Sequence, residues 1–273
     1  MHNALALVAA ANLDHGITQG LLAALCGGFV SFSLGLIGGG GSILAVPLIL
    51  YVVGLHNPHL AIGTAALAVA ANAFINIIPH ARAGHVRWKA AFAFAASGVI
   101  GAAVGSTLGK LVDGQRLLTC FAGLMCFVAI LMLRPRAATQ SSSLLDQGGY
   151  PRLCGTGLGA GSLSGFFGIG GGFLVVPGLM FAGRMQIVEA IGTSLFAVGS
   201  FGLTTAINYS LSGDVDWSIA AEFVAGGIAG GWLGARMACR LARRRGALNL
   251  IFAAMIIAIA ANMLYHAWRV HRG

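Results

Sequence analysis

Charged side chains are so sparse in this chain that they divide it into apolar blocks. No Asp, Glu, Lys or Arg occurs in residues 15–81, 90–109, 117–133, 153–183, 190–213 or 246–268, and the run 217–235 is interrupted by Glu222 alone. At about 20 apolar residues per membrane-crossing helix, the first block can hold up to three crossings. Glycine clusters at 38–41 and 168–172, and the tetrapeptide His56-Asn57-Pro58-His59, cut the blocks further. The pattern predicts ten hydrophobic segments: 17–37, 42–54, 59–80, 89–111, 117–133, 153–168, 172–183, 187–209, 217–238 and 247–268. Segments 42–54 and 172–183 are too short for an upright crossing, so half-helices or re-entrant pieces are expected there. The stretch 134–152 is a polar linker, separating an N-terminal membrane repeat (1–133) from a C-terminal one (153–273).

Composition narrows the function classes. Of 273 residues, 58% are hydrophobic and 8% charged, against roughly 25% charged in ordinary soluble domains. That excludes a soluble enzyme. Glycine is abundant, 42 residues, yet has no Gly-X-Y period, so a collagen-like fibre is excluded too. The formal charge of +9 lies between apolar blocks and not in one patch. It therefore suits loops that orient membrane helices and not nucleic-acid binding. The five cysteines (Cys26, Cys120, Cys126, Cys154, Cys239) form no CxxC pair and are expected to be packing residues. The N-terminus has no basic region ahead of its apolar run, so no cleaved signal peptide is expected. No catalytic set, phosphate-binding loop or metal-ligand cluster is present, and no enzyme activity, cofactor or metal is expected.

The two halves repeat. Gly35-Leu-Ile-Gly-Gly-Gly-Gly-Ser-Ile-Leu-Ala-Val-Pro47 aligns with Gly165-Phe-Phe-Gly-Ile-Gly-Gly-Gly-Phe-Leu-Val-Val-Pro177, and Ala61-Ile-Gly-Thr64 with Ala190-Ile-Gly-Thr193. Gly84, Val86 and Trp88 then pair with Gly213, Val215 and Trp217, and Gly98, Gly101 and Gly105 with Gly227, Gly230 and Gly234. Charge suggests the relative orientation of the copies. The loop 82–87 is basic where its counterpart 211–216 is acidic, and 240–245 is more basic than 110–116. Because basic loops stay cytoplasmic, equivalent loops are expected on opposite membrane faces. The expected fold is therefore an all-α polytopic membrane protein of two inverted repeats, about five segments each, with linker 134–152 and Arg184 inside and both termini outside. Inverted repeats are a transporter architecture.

Two glycine-rich junctions are the strongest site candidates. Each precedes an apolar segment, and a helix N-terminus there would offer free N–H groups and partial positive charge to an anion. Irregular backbone at membrane depth is tolerated where it is buried in protein or lines a cavity. The candidate substrate contacts are Gly38, Gly40, Gly41 and Ser42 in the first half and Gly168, Gly170, Gly171 and Gly172 in the second. Polar residues inside the following segments come next. Thr64, Asn72 and Asn76 fall within roughly 120° of one helix face, echoed by Thr193, Ser194, Thr205 and Asn208. These could hydrogen-bond an oxyanion or equally bridge helices. Gly101/Gly105 and Gly230/Gly234, at helical spacing, are expected to be packing glycines. Glu222 lies well inside a segment and is a candidate for proton coupling, although its distance from Trp217 also suits a position reaching the interface.

At these motifs the chain resembles the TauE/SafE family, the sulfite or organosulfonate exporter type of membrane permease. The resemblance rests on Gly38–Pro47, Gly168–Pro177, Ala61–Thr64, Ala190–Ser194 and Gly213-Asp-Val-Asp-Trp217, and covers essentially the whole chain. It implies a multi-pass protein of a bacterial inner membrane. It also implies a secondary transporter moving a small sulfur-containing anion such as sulfite, sulfoacetate or thiosulfate by alternating access between the repeats. Its partners would be the anion and the bilayer, with a homo-oligomer left open. An anion channel, or a proton-coupled importer of a small organic anion, is the alternative. The first junction has Gly39 and Ser42 where the second has Ile169 and Gly172, so the two need not treat a ligand alike.

Overall fold

A computed structural model describes residues 2–133, 149–170 and 172–241. Segment 247–268, residues 134–148 of the linker, and Gly171 lie outside the described residues. Among those described, every regular element is helical: α1 (His2–Ile37), a 3₁₀ stretch (Gly38–Leu44), α2 (Ala45–Tyr51), α3 (Pro58–Arg82), α4 (Trp88–Leu111), α5 (Gly114–Leu133), α6 (Tyr150–Phe167), α7 (Gly172–Gly183), α8 (Ile187–Ser210) and α9 (Trp217–Leu241). Among the described residues, five stretches are long and apolar enough to cross a membrane by length and composition.

Local sequence explains most of the starts. Asn57 caps α3, its Oδ1 accepting from the N–H groups of His59 and Leu60, with Pro58 in the first turn; proline there removes an N–H that would lack a partner. Asp113 and Asp216 cap α5 and α9 in the same manner. Gln186 and Glu189 form a reciprocal capping box on α8.

The helix that carries the first segment runs from His2, since Asp14 does not break a run of good helix formers, while the stretch long and apolar enough to cross begins at Gly16, beside the expected 17. Both glycine clusters leave the α-helical path. At the first, Gly38 is left-handed, with φ of +75°, and Gly38–Leu44 winds as the 3₁₀ stretch, so the short helix begins at Ala45 and not at 42. At the second, Gly168 and Gly170 are left-handed, with φ of +67° and +64°.

Both clusters turn the chain back on itself. Gly41 lies against the backbone of Ser33 and Leu34, and Gln19 at the middle of α1 donates to the Val53 carbonyl just after α2 at 3.0 Å. Gly16–Tyr51, although one uninterrupted apolar stretch, is thus a hairpin and not a straight crossing. In the second half Gly183 at the end of α7 lies beside Leu153 at the start of α6, which makes α6–α7 a second hairpin. The returning arms α2 and α7, of 7 and 12 residues, are about 10 and 18 Å long, well short of a ~30 Å hydrocarbon core.

The halves pack by exchange. Hairpin arm α1 packs along α9, and α6 along α4; α3 and α8 pack on each other at the centre. Glycines make these seams. Ala24, Gly28 and Phe32 of α1 present carbonyls to Gly226, Gly230 and Gly234 of α9, while Gly98 and Ala102 of α4 present theirs to Gly161 and Gly165 of α6. A methyl at any of these five glycines would collide with backbone, so absent side chains let the helices approach closely. The order of contacts also gives direction. α1 and α3 both run parallel to α9, with Asn72 beside Gly227 and Asn76 beside Gly231, and α4 runs parallel to α6. α3 and α8 run antiparallel, Phe74 meeting Gly199 while Ala66 and Ala70 meet Gly202. The two hairpins consequently enter the bundle from opposite ends. Large apolar side chains cover the outside, among them Ile100, Leu111, Phe181 and Leu211, as a lipid-facing surface requires.

Candidate functional site

The two hairpin bends meet. Gly39 and Gly172 are in direct backbone contact, so that a side chain on either would fall on the other's main chain. Around this contact Gly38, Gly40, Gly41, Ser42, Gly168, Gly170 and Gly172 are all buried. α3 and α8 wall the bends. Ile62 lies against Gly168, Val69 and Val198 flank Gly170, and Ile191 with Ser194 lies against Gly38. The walls are thus mostly aliphatic.

Polar atoms here are few and specific. Ser194 Oγ accepts from the Gly39 N–H at 3.3 Å and donates to the Ile191 carbonyl at 2.8 Å. Ser42 Oγ donates to the Gly39 carbonyl at 2.8 Å. The second bend is closed by the N–H groups of Gly168 and Ile169, both bonded to the Ser164 carbonyl. The Ser164 hydroxyl is buried with no hydrogen-bond partner. The sequence reading passed over Ser164; its signal was a polar residue in the last turn before Gly168, where the first repeat has Leu34.

The remaining candidates are distributed. Thr64 and Thr193 each clasp the loop of the opposite half. Thr64 Oγ1 accepts from the Asp216 N–H at 2.9 Å, and Thr193 Oγ1 from the Arg87 N–H at 3.0 Å. The glycine before each threonine makes room for that loop: Gly63 lies against the Asp214 carbonyl and Gly192 against the His85 carbonyl. The Ala-Ile-Gly-Thr motif is therefore a reciprocal clasp. On one side it is reinforced by an Arg87–Glu189 ion pair at 2.9 Å.

Asn76 Nδ2 donates to the carbonyl and hydroxyl of Ser31 on α1 at 3.3 and 3.0 Å. Asn208 bridges α8 to α4 through Ser106 and Thr107 at 2.7 and 3.0 Å. Asn72, fully buried beside Gly227, has both amide atoms without a partner, and the buried Thr205 hydroxyl also has none. Such groups cost about 1–3 kcal/mol each when unsatisfied. Gly171 lies outside the described residues. Glu222 is half-buried on α9, its carboxylate against Gly20 of α1. Two histidines add to the basic end: His80 Nε2 is 3.0 Å from the Gly35 carbonyl, and its ring is 6.3 Å from that of His85. Among the described residues no group of three His, Cys, Asp or Glu could hold a metal ion.

Comparison with known proteins bears on the whole chain. Residues 23–263 match the family described as sulfite exporter TauE/SafE. A probable membrane transporter protein of Xylella fastidiosa is 52% identical over 250 residues, covering 89% of this chain and 94% of its own length. The probable membrane transporter protein YdhB of Bacillus subtilis is 27% identical, covering 74% of this chain and 84% of its own length. The probable membrane transporter protein MJ0441 of Methanocaldococcus jannaschii is 29% identical, with 67% and 69% covered. No solved structure matches. The chain belongs to the sulfite exporter TauE/SafE family of membrane transporters.

Proposed function

We propose that the protein is a secondary transporter of the bacterial inner membrane that exports a small sulfur-containing anion, such as sulfite or an organosulfonate. It works by alternating access between two inverted repeats. The observation that carries this reading is the Gly39–Gly172 contact, where bends from oppositely directed hairpins meet in one buried place. Inversion is supported by the antiparallel course of the repeat mates α3 and α8 and by basic residues at one end of α3 and α9.

The substrate site lies at the two bends. The N-terminus of α7, with Gly172 and the preceding Gly170, presents backbone N–H groups and positive dipole to the anion, on a turn shaped by the left-handed Gly168. Gly38, Gly40, Gly41 and Ser42 supply the facing backbone, Ser164, whose hydroxyl has no partner, supplies a donor, and Ser194, its proton on the Ile191 carbonyl, holds the Gly39 N–H. Asn72 and Thr205, buried without partners, are the polar groups that become satisfied as the bundle rearranges. Thr64, Thr193, Asn76 and Asn208 position the helices through the bonds described above. Direction follows from the membrane potential: at roughly 2.3 kcal/mol per charge per 100 mV, an inside-negative membrane drives anions outward without a coupling ion.

The carboxylate of Glu222, held against Gly20 within a helix seam, favours a second reading, a proton-coupled importer. Flux assays in proteoliposomes with sulfite, sulfoacetate and a dicarboxylate test both readings. Saturable efflux of the sulfur anions, accelerated by a potential negative on the side of origin, is expected. Absence of anion movement with or without a proton gradient would refute transport, and large unitary currents would point to a channel.

A further inference from the structure

Outside the central site, a groove of about 650 Å³ runs between α3 and α9. Its walls are Ile75, Ile78 and Pro79 on one side and Ile228, Ala229 and Trp232 on the other. The groove is open to the exterior, Ile78, Ile228 and Trp232 each being about half exposed. From Ile75 to Arg82 it extends about 10 Å along the helix, most of the ~15 Å hydrocarbon depth of one leaflet.

One end of the groove is cationic. Arg82 lines it, and the guanidinium of Arg236 stacks over the Trp232 ring at 3.4 Å from the centroid. The parallel course of α3 and α9 brings both arginines to the same end of the bundle. Among the described residues neither makes an ion pair. The repeat-related seam, between α8 and α4, is built differently. The repeat mates of Arg82, Trp232 and Arg236 are Leu211, Ala103 and Thr107. There the nearby cation is satisfied within the protein, Lys110 Nζ donating to the Asn208 carbonyl at 3.0 Å and to Ser212 Oγ at 2.9 Å. Among the described residues, an open apolar trench ending in two guanidiniums without an ion pair and an aromatic face therefore belongs to the α3–α9 seam alone.

We propose that this groove holds an anionic phospholipid, an acyl chain lying between α3 and α9 and the phosphate bridging Arg82 and Arg236. Guanidinium forks match phosphate oxygens in pairs, tryptophan suits the level of the headgroups, and basic sites between helices select anionic lipid headgroups. With each arginine favouring an anionic lipid by about 1 kcal/mol, the pair predicts a preference of roughly thirtyfold over a zwitterionic lipid. The proposal needs the chain to lie in a bilayer but is independent of what it transports.

Brominated lipids test it through tryptophan quenching, in a variant keeping Trp232 and carrying Phe at Trp88, Trp217 and Trp268. In phosphatidylcholine nanodiscs, brominated phosphatidylglycerol is expected to quench Trp232 at far lower mole fraction than brominated phosphatidylcholine. The double substitution Arg82→Gln/Arg236→Gln is expected to abolish the difference. Equal quenching by both lipids, or a difference that survives the double substitution, overturns the proposal. So does quenching by neither, which would mean that the chain itself fills the groove. Native mass spectrometry of the unaltered protein, released from mixed phosphatidylglycerol and phosphatidylcholine membranes, provides a readout free of the tryptophan changes. Retained phosphatidylglycerol that the double variant loses is the supporting result, and equal retention by both proteins the opposing one.

Discussion

A single methyl group at Gly39 should disable transport. The Cβ of an alanine there would sit 2.6 Å from the carbonyl carbon and oxygen of Gly172. The Gly172 Cα would lie closer still; non-bonded atoms prefer separations of roughly 3.5–4 Å, so the bends would have to part by more than about 1 Å. No flexible side chain can yield, because both partners are main chain. Overpacking of this kind costs about 1–3 kcal/mol, or roughly 5- to 150-fold in an equilibrium. If the contact belongs to one state of the transport cycle and not the other, that factor reappears in the turnover. Gly39→Ala is expected to lower sulfite flux in proteoliposomes at least about fivefold while the protein still purifies as a folded, monodisperse species.

The control is the same chemical change where space exists. A methyl at Gly159 of α6 meets nothing within 4 Å, so Gly159→Ala should leave flux and thermal stability at the original level. Flux above half of normal in Gly39→Ala, together with an unchanged unfolding temperature, would show that the bends do not touch in any state that matters. The proposed site would then lose its geometric basis.

Two further outcomes are expected. Thr64→Val and Thr193→Val each strand a loop N–H, at about 1–3 kcal/mol, and should lower the unfolding temperature by roughly 2–10 °C, with Thr→Ser at the same positions restoring it; an unchanged temperature in both valine variants would contradict the clasps. Glu222→Gln should leave flux down a substrate gradient intact but remove any acceleration by an imposed proton gradient; acceleration of the same size in the variant would exclude Glu222 as the proton carrier.

Much of the architecture was legible because a bilayer imposes simple rules. Uncharged runs located nine elements within the described residues. The brevity of 42–54 and 172–183 anticipated returning arms that cannot cross. Glycines at helical spacing, such as Gly230 and Gly234, anticipated close seams. What was illegible depends on partners remote in sequence. Thr64 and Thr193 look like a polar stripe, and nothing near them in the chain announces that each meets the loop of the other half. Asn76 and Asn208, similar in isolation, differ only in which helix faces them, Ser31 on α1 or Ser106 and Thr107 on α4. The helix start at His2 is illegible for a different reason: helical hydrogen bonding continues past Asp14 regardless of where the apolar stretch begins at Gly16.

The differences between the repeats sort into a physical order that the proposed inversion explains. Features that pack are kept in both halves: the seam glycines Gly101/Gly230, Gly105/Gly234 and Gly35/Gly165, the Gly-Thr clasps and the returning arms. Close packing has no sense of which compartment lies beyond it. Features that meet water or lipid headgroups diverge: Arg87 against Asp216, Arg82 against Leu211, Arg236 against Thr107. These positions lie at the ends of the helices, where a cytoplasmic face attracts basic residues and the opposite face does not. Two copies in the same orientation would meet the same environment and have no such reason to part in charge. A duplication that holds its interior and splits its ends by sign is what opposite membrane faces select.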